Sequence, residues 1–361
     1  LGTGKGAQYD LYGYPCWVRI ADEVIKIDSR TGDTLNVNAS GHAQFNTIAA
    51  AHKTNDVVQL CKVYSAVPLT DVLISLWNLA GLTNTYIDTA GFTVEENNWL
   101  GAKYYITTCL AEPETASALI SELVREAAGM QWWDQIAQKL KFKVNRPGTV
   151  DAVIPLLTDE ANFILDSVSL DVLDAERITY SALYYGRRTP SAQKDEIASY
   201  DRADIYIDAD AEGANEYNDE RANVIKSRWL SSANSLAATS FVARDVAARR
   251  DAPAKLKFKI DPKDYNINLA QLVDVSTKAI LDVAGAKKTT RLRITRLADK
   301  GAHIECEART TKYRSNSGEA VRYAYIATNG TADYPTEQVH AHICVTATGK
   351  MTNGDAPYLI I

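Results

Sequence analysis

Lys-Leu-Lys-Phe-Lys occurs twice in this chain, at residues 139–143 and again at 255–259. In both copies charge alternates with apolar bulk at period two, which puts Leu140 with Phe142, and Leu256 with Phe258, on one side of an extended strand and the lysines on the other. A helix would scatter the same five residues around its circumference, so both segments read as strands. Each copy follows an amphipathic helical stretch, the arrangement expected of a duplicated module; a chance repeat on two solvated sheet faces is the other reading.

The 361 residues, 46% of them hydrophobic, suffice for two or three cores of about 100 to 150 residues each. No run approaches the roughly 20 continuous apolar residues of a membrane span, and residues 1–6 lack the basic start and apolar run of a signal peptide. The chain opens on Leu1 rather than Met, which reads as a processed or truncated product. A net charge of −6 argues against a chain that grips nucleic acid, because clustered Lys and Arg supply phosphate affinity. The five cysteines, Cys16, Cys61, Cys109, Cys306 and Cys344, are scattered without a C-x-x-C pair and read as reduced core residues made in a cytoplasm.

The pattern divides into residues 1–60, 61–150, 151–310 and 311–361. The first block holds short β-prone runs at 16–20, 24–27 and 35–37, with a turn at Thr31-Gly32-Asp33. In the second, Thr70 is placed to cap a helix whose stripe is Val72, Leu73, Leu76, Trp77 and Ala80, with Gly81 as its stop. A second helix, begun near Pro113, carries Ala116, Leu119, Ile120, Leu123, Val124 and Ala127 and is expected to end at Gly129. The third block has strand runs at 178–185, 205–207, 272–275, 292–297 and 303–308, and a helix over 232–250 whose face is Leu236, Ala237, Phe241 and Val246. The last block, rich in Ser, Thr, Asn and Gly, carries strand candidates at 322–327 and 339–346.

Several groupings invite a chemical reading. Asp208, Asp210, Glu212, Gly213 and Asp219 approximate the spacing of a calcium loop, although Asn215 stands where an aliphatic residue is usual and Asp219 is short for the last position; a solvated acidic loop is the plainer reading. His340, His342 and Cys344 alternate and would share a strand face, the beginning of a zinc site without a fourth ligand, or simply a surface strand. His52 reads as a packed or hydrogen-bonding residue rather than a catalytic one. Gly2-Thr3-Gly4-Lys5-Gly6 lacks the preceding strand and following Ser or Thr of a phosphate loop. Adjacent Trp132 and Trp133 face opposite sides of a strand, one toward a core and the other toward a neighbour or a sugar. The 19 tyrosines, with pairs at Tyr104-Tyr105 and Tyr184-Tyr185, suit wet interfaces as well as strands. No cofactor is implied.

The order of these motifs resembles a known family. From Val24 come strand, turn and strand, then Ala39-Ser40-Gly41, Phe45-Asn46-Thr47, Ala49-Ala50-Ala51-His52 and Asp56-Val57-Val58. Gln131-Trp132-Trp133-Asp134 and Arg146-Pro147 follow. Ala247 to Arg250, Pro253, the second Lys-Leu-Lys-Phe-Lys, Asp261-Pro262-Lys263-Asp264-Tyr265, Leu272-Val273-Asp274-Val275 and Val283-Ala284-Gly285 complete the series. The pattern is similar to the tail hub, or tail tip hub, of tailed bacteriophages. Where that family often has Arg-Gly and Gly-Thr pairs, this chain has Ser40-Gly41 and Asn46-Thr47.

The resemblance implies a mainly β chain with α+β insertions: two similar tail-tube-like β-barrel domains plus smaller peripheral α/β domains. It further implies a homotrimer at the distal tail end of a virion, assembled in the bacterial host cytoplasm. Its partners would be distal tail or tail tube proteins, a central spike or fibre and the tape measure protein, with viral DNA only in transit through a channel that it helps to close. The role is structural, without catalysis. The alternative is a β-rich carbohydrate-binding or carbohydrate-degrading protein that uses exposed Trp and Tyr, or a pair of carboxylates, on a glycan.

Overall fold

A computed structural model describes residues 1–145, 154–213, 216–264 and 267–310, together with two short strand pieces at 342–343 and 358–359. The chain is mainly β, with several sheets and a few helices. The N-terminal region contains β1 (Cys16–Ile20), β2 (Glu23–Ile27), the small hairpin of β3 (Ser29–Thr31) with β4 (Thr34–Asn36), and the long β5 (Val58–Pro68). A later strand, β6 (Tyr105–Leu110), completes a four-stranded antiparallel sheet in the order β2-β1-β5-β6. Alternation splits its side chains between two cores: Cys16, Val18, Ile25 and Ile27 on one face, and Val24, Cys61 and Cys109 on the other.

β5 bends where its register to β6 shifts between Tyr64 and Val67, at Ala66 with φ of 50°, and runs directly into α1 (Leu69–Leu79). The stripe of α1 is as its sequence dictates, with Val72, Leu73 and Leu76 buried. Its start differs. Pro68 holds the capping position, and Thr70 lies inside the first turn with its N–H donating to Glu96 Oε2 at 3.1 Å. Gly81 does stop the helix: at φ of 95° it lets Gly81 N–H reach Asn78 O and Leu82 N–H reach Trp77 O, each at 3.0 Å.

After α2 (Thr89–Glu95) come β6, α3 (Ala116–Glu126) and the hairpin of β7 (Gly129–Asp134) with β8 (Lys139–Val144). The α3 stripe buries Leu119, Ile120, Leu123 and Ala127, and Thr115 caps it by accepting from Ala118 N–H at 3.3 Å. Gly129 is not the helix stop. Ala128, at φ of 47°, makes that turn, and Gly129 already pairs with Val144 in the hairpin. A Cβ on Gly129 would lie 2.4 Å from the Phe142 ring, so close approach is what requires glycine there.

The next strands are β9 (Leu156–Thr158), β10 (Ser169–Val172), β11 (Tyr180–Arg187) and β12 (Tyr200–Ile207), followed by the single turn α4 (Ala209–Glu212), β13 (Ala222–Lys226) and α5 (Ser235–Arg249). β11 lies between β12, antiparallel, and β13, parallel, and α5 covers one face of this three-stranded sheet. α5 buries Ala237, Ala238, Phe241, Val242 and Val246, whereas Leu236, expected on that face, is exposed. The buried face is thus turned from Leu236 toward Ala238 and Val242. Its core is continuous with that of α1, α2, α3 and β8.

Finally β14 (Ala254–Ile260), β15 (Leu272–Ser276), β16 (Thr290–Asp299) and β17 (Ile304–Thr310) join the two earlier short strands in a six-stranded sheet, order β10-β14-β17-β16-β15-β9. Every pairing is antiparallel except β9 with β15. β18 (His342–Ile343) pairs with β19 (Tyr358–Leu359).

Both copies of the repeat are strands with the expected apolar side inward: Leu140, Phe142, Leu256 and Phe258 are all buried. Their surroundings differ. The first is one arm of a two-stranded hairpin, with Phe142 packed 5.2 Å from Phe92 of α2; the second is interior to six strands, with Phe258 packed 4.9 Å from Phe163. The repeat therefore does not mark equivalent positions of a duplicated module. The same alternation satisfies two unrelated half-buried strands. The two largest described sheets have six and four strands.

Candidate functional site

A cleft of about 740 Å³ lies where three parts of the fold meet: the end of α3 with the start of β7, the helix α5 with β13, and the strands β16 and β17. Six arginines line it, Arg125, Arg244, Arg249, Arg293, Arg296 and Arg309, against three carboxylates, Glu176, Asp245 and Glu307. That excess of positive charge stands out in a chain whose net charge is −6.

Each carboxylate has an arginine. Glu176 Oε2 accepts from Arg309 at 2.8 Å, Glu307 Oε1 accepts from Arg296 at 3.1 Å, and Asp245 pairs with Arg249 one helical turn on. Asp245 also accepts from Ser181 Oγ and Asn223 Nδ2, both at 2.8 Å, which pins α5 to the sheet. Antiparallel register places Arg293 directly opposite Arg309, a like-charge pair that costs stability unless an anion sits nearby. Arg293 is only 3% exposed and donates to Val144 O at 3.2 Å. Arg244 donates weakly to Tyr104 Oη at 3.3 Å and faces no carboxylate at ion-pair distance among the described residues; the same holds for exposed Arg125. Met130, Ile225, Phe241 and Pro253 provide apolar wall between these charges.

The acidic loop is built otherwise than a calcium site. Asp208 caps α4 by accepting from Ala211 N–H at 3.0 Å, and it is buried rather than solvated, accepting from Arg250 Nε at 2.7 Å. Glu212 accepts from Thr179 Oγ1, and Asp219 lies between Arg177 and Arg221 at 2.9 and 2.7 Å. Asp210 is exposed on α4. Arginines thus occupy two of the four carboxylates that a cation would need, and among the described residues no group of three His, Cys, Asp or Glu side chains converges. His340 and Cys344 lie outside the described residues, and His342 is described only as backbone of β18.

His52 is a hydrogen-bonding residue, but its partner was not legible. Glu23, at the start of β2, has a fully buried carboxylate that holds the irregular segment 37–57. Oε1 accepts from His42 Nδ1 at 2.9 Å and Ala43 N–H at 3.1 Å; Oε2 accepts from Ala50 N–H at 3.1 Å and His52 Nε2 at 2.7 Å. Burial pushes this carboxyl up, yet the four donors outweigh burial and hold it at about 2. Elsewhere Cys16, Cys61, Cys109 and Cys306 are buried free thiols, with Cys109 pushed up by its contact with Cys61 and by burial. No helix among the described residues is long and apolar enough to cross a membrane.

Trp133 is 45% exposed and its ring lies 6.4 Å from that of Tyr86, itself 48% exposed, while Trp132 is half-buried rather than core. On the three-stranded sheet, the face away from α5 presents Ile205, Ile207 and Val224, each about half exposed, beside Tyr180 and Tyr184.

No family model matches the chain, and no curated protein sequence does. Among solved structures, a chain of the native gene transfer agent virion is similar at 17% identity and a TM-score of 0.44, over 72% of this chain and 50% of that one. The present chain thus spans half of that protein's length. The 43 kDa tail protein of prophage MuSo2 from Shewanella oneidensis is similar at 10% identity and a TM-score of 0.42, over 82% and 93% of the two chains. A tail protein from Neisseria meningitidis is similar at 11% identity and a TM-score of 0.38, over 83% and 97%. These likenesses are distant.

Proposed function

We propose that this chain is a structural component of a phage-type tail, acting by assembly rather than by catalysis. The observation that carries the reading is the open face of the three-stranded sheet. Ile205, Ile207 and Val224 stand in adjacent rows across β12, β11 and β13, and β12 is an edge strand of the sheet among the described residues. An apolar face beside a free edge is what an assembling subunit keeps for its neighbour. The motif order noted in the sequence supports the tail setting and supplies the finer form of the proposal. In that form three copies make a ring at the distal end of the tail tube, carry the central spike or fibre and help to close the DNA channel, the whole residing in the virion.

Mass measurement of the purified chain tests this directly. A trimer that Ile205→Asp and Val224→Asp convert to monomer is the expected result; a wild-type monomer at micromolar concentration overturns the assembly reading. A second reading, binding of glycan by an aromatic platform, is favoured by the exposed Trp133 and Tyr86 pair alone. Retardation by a soluble polysaccharide that Trp133→Ala abolishes would support it, and unchanged mobility would remove it.

A further inference from the structure

We propose that the arginine-lined cleft is a docking site for an acidic peptide segment of a partner protein, with carboxylates spaced by apolar side chains. Three features converge. First, the positive charge is built rather than incidental: Arg293 is buried, it stands opposite Arg309 across the ladder, and Arg125 and Arg244 have no carboxylate at ion-pair distance among the described residues. Arginine favours planar, two-pronged pairing with carboxylate. Second, Phe241, Met130 and Pro253 line the same cavity, so the ligand has apolar groups among its charges. A phosphate backbone has none to offer. Third, a volume of about 740 Å³ admits a few peptide residues and excludes a duplex.

The segments that follow the cleft-lining Asn145 and Thr310 carry no excess of acid in their sequence. Residues 146–153 hold one acid, Asp151, against Arg146, and residues 311–361 hold four acids against four bases. The complementary charge comes from another protein. This rests on the assembly reading only for the partner's being a tail subunit; the electrostatic match stands apart from it.

The test uses the full chain and a fluorescein-labelled octapeptide of alternating Glu and Leu, followed by anisotropy. Binding that weakens as salt rises is expected, and each of Arg125→Ala and Arg244→Ala should cost about tenfold in affinity, the equivalent of one charge-assisted contact. Arg125 is exposed, so its variant folds whatever Arg244→Ala does, and a thermal melt of each separates lost binding from lost structure. Equal affinity of wild type and Arg125→Ala overturns the site. So does tighter binding of a single-stranded oligonucleotide of the same charge, which would make the ligand phosphate rather than carboxylate. A trimer that ignores the peptide removes this proposal and leaves the tail reading, whereas a monomer that binds it does the reverse.

Discussion

Glu23 and Glu126 are equally hidden, 1% and 3% exposed, and burial alone would push both carboxyls up. They end on opposite sides of their ordinary range. Glu23 collects four donors, two of them backbone N–H groups, and stays near 2. Glu126, in the last turn of α3, has one strong donor, Ser227 Oγ at 2.8 Å; burial dominates there, Glu122 adds to it, and the carboxyl rises to about 8. Donor count, not depth, decides whether a buried acid is an ion. The first region uses charge to fold an irregular loop onto a sheet. The second keeps a neutral acid inside a hydrophobic core.

The most damaging way to probe the contrast is Glu23→Ala, which strands four donors and should cost about 3–5 kcal/mol in urea unfolding. A cost below about 1 kcal/mol would mean that water replaces the carboxylate freely. Next comes the pH dependence of the other site. Because the native state holds the Glu126 proton after the unfolded chain has released it, this contribution is complete below the ordinary value of 4.5 and fades as pH rises to about 8. Between roughly pH 6 and pH 8 stability should fall by about 2–3 kcal/mol, and Glu126→Gln should flatten that slope.

Glu23 predicts the reverse limb. Its contribution is present above 4.5 and disappears as pH falls toward about 2, so at roughly pH 3 about 2 kcal/mol is lost in wild type and none of it in Glu23→Gln. The smallest effect belongs to the histidines. His52→Asn should cost about 1 kcal/mol, and His42→Asn less, because the His42 side chain is 47% exposed and water takes its place. Equal losses at the two positions would show that backbone donors, rather than imidazoles, hold the loop.

What the sequence made legible was local. Period two placed Leu140, Phe142, Leu256 and Phe258 inside, and the stripes of α1 and α3 buried the expected leucines. What it hid was distant in the chain. Asp208 looked like a calcium ligand because its spacing to Asp210 and Glu212 is visible, while the Arg250 that neutralises it is not. Gly129 looked like a helix stop because the Phe142 ring that requires it comes from the next strand. The cleft shows the same thing most plainly: its arginines come from α3, α5, β16 and β17, and no window of sequence contains more than two or three of them. A repeated pentapeptide, by contrast, is conspicuous and was the least informative, since alternation specifies a half-buried strand and nothing about its neighbours.

The parallel seam between β9 and β15 gives the chain a timetable. Asp274, Val275 and Ser276 pair with Leu156, Leu157 and Thr158, so a strand made early on the ribosome waits for one made more than a hundred residues later. The hairpin of β7 and β8, by contrast, can zip as soon as it emerges. During that wait β11 to β13 and α5 have everything they need to fold, and the six-stranded sheet closes over a region already in place. Its closure is non-local and therefore slow. Released chains truncated before residue 272 should accordingly protect α5 from protease while leaving β9 open to cleavage.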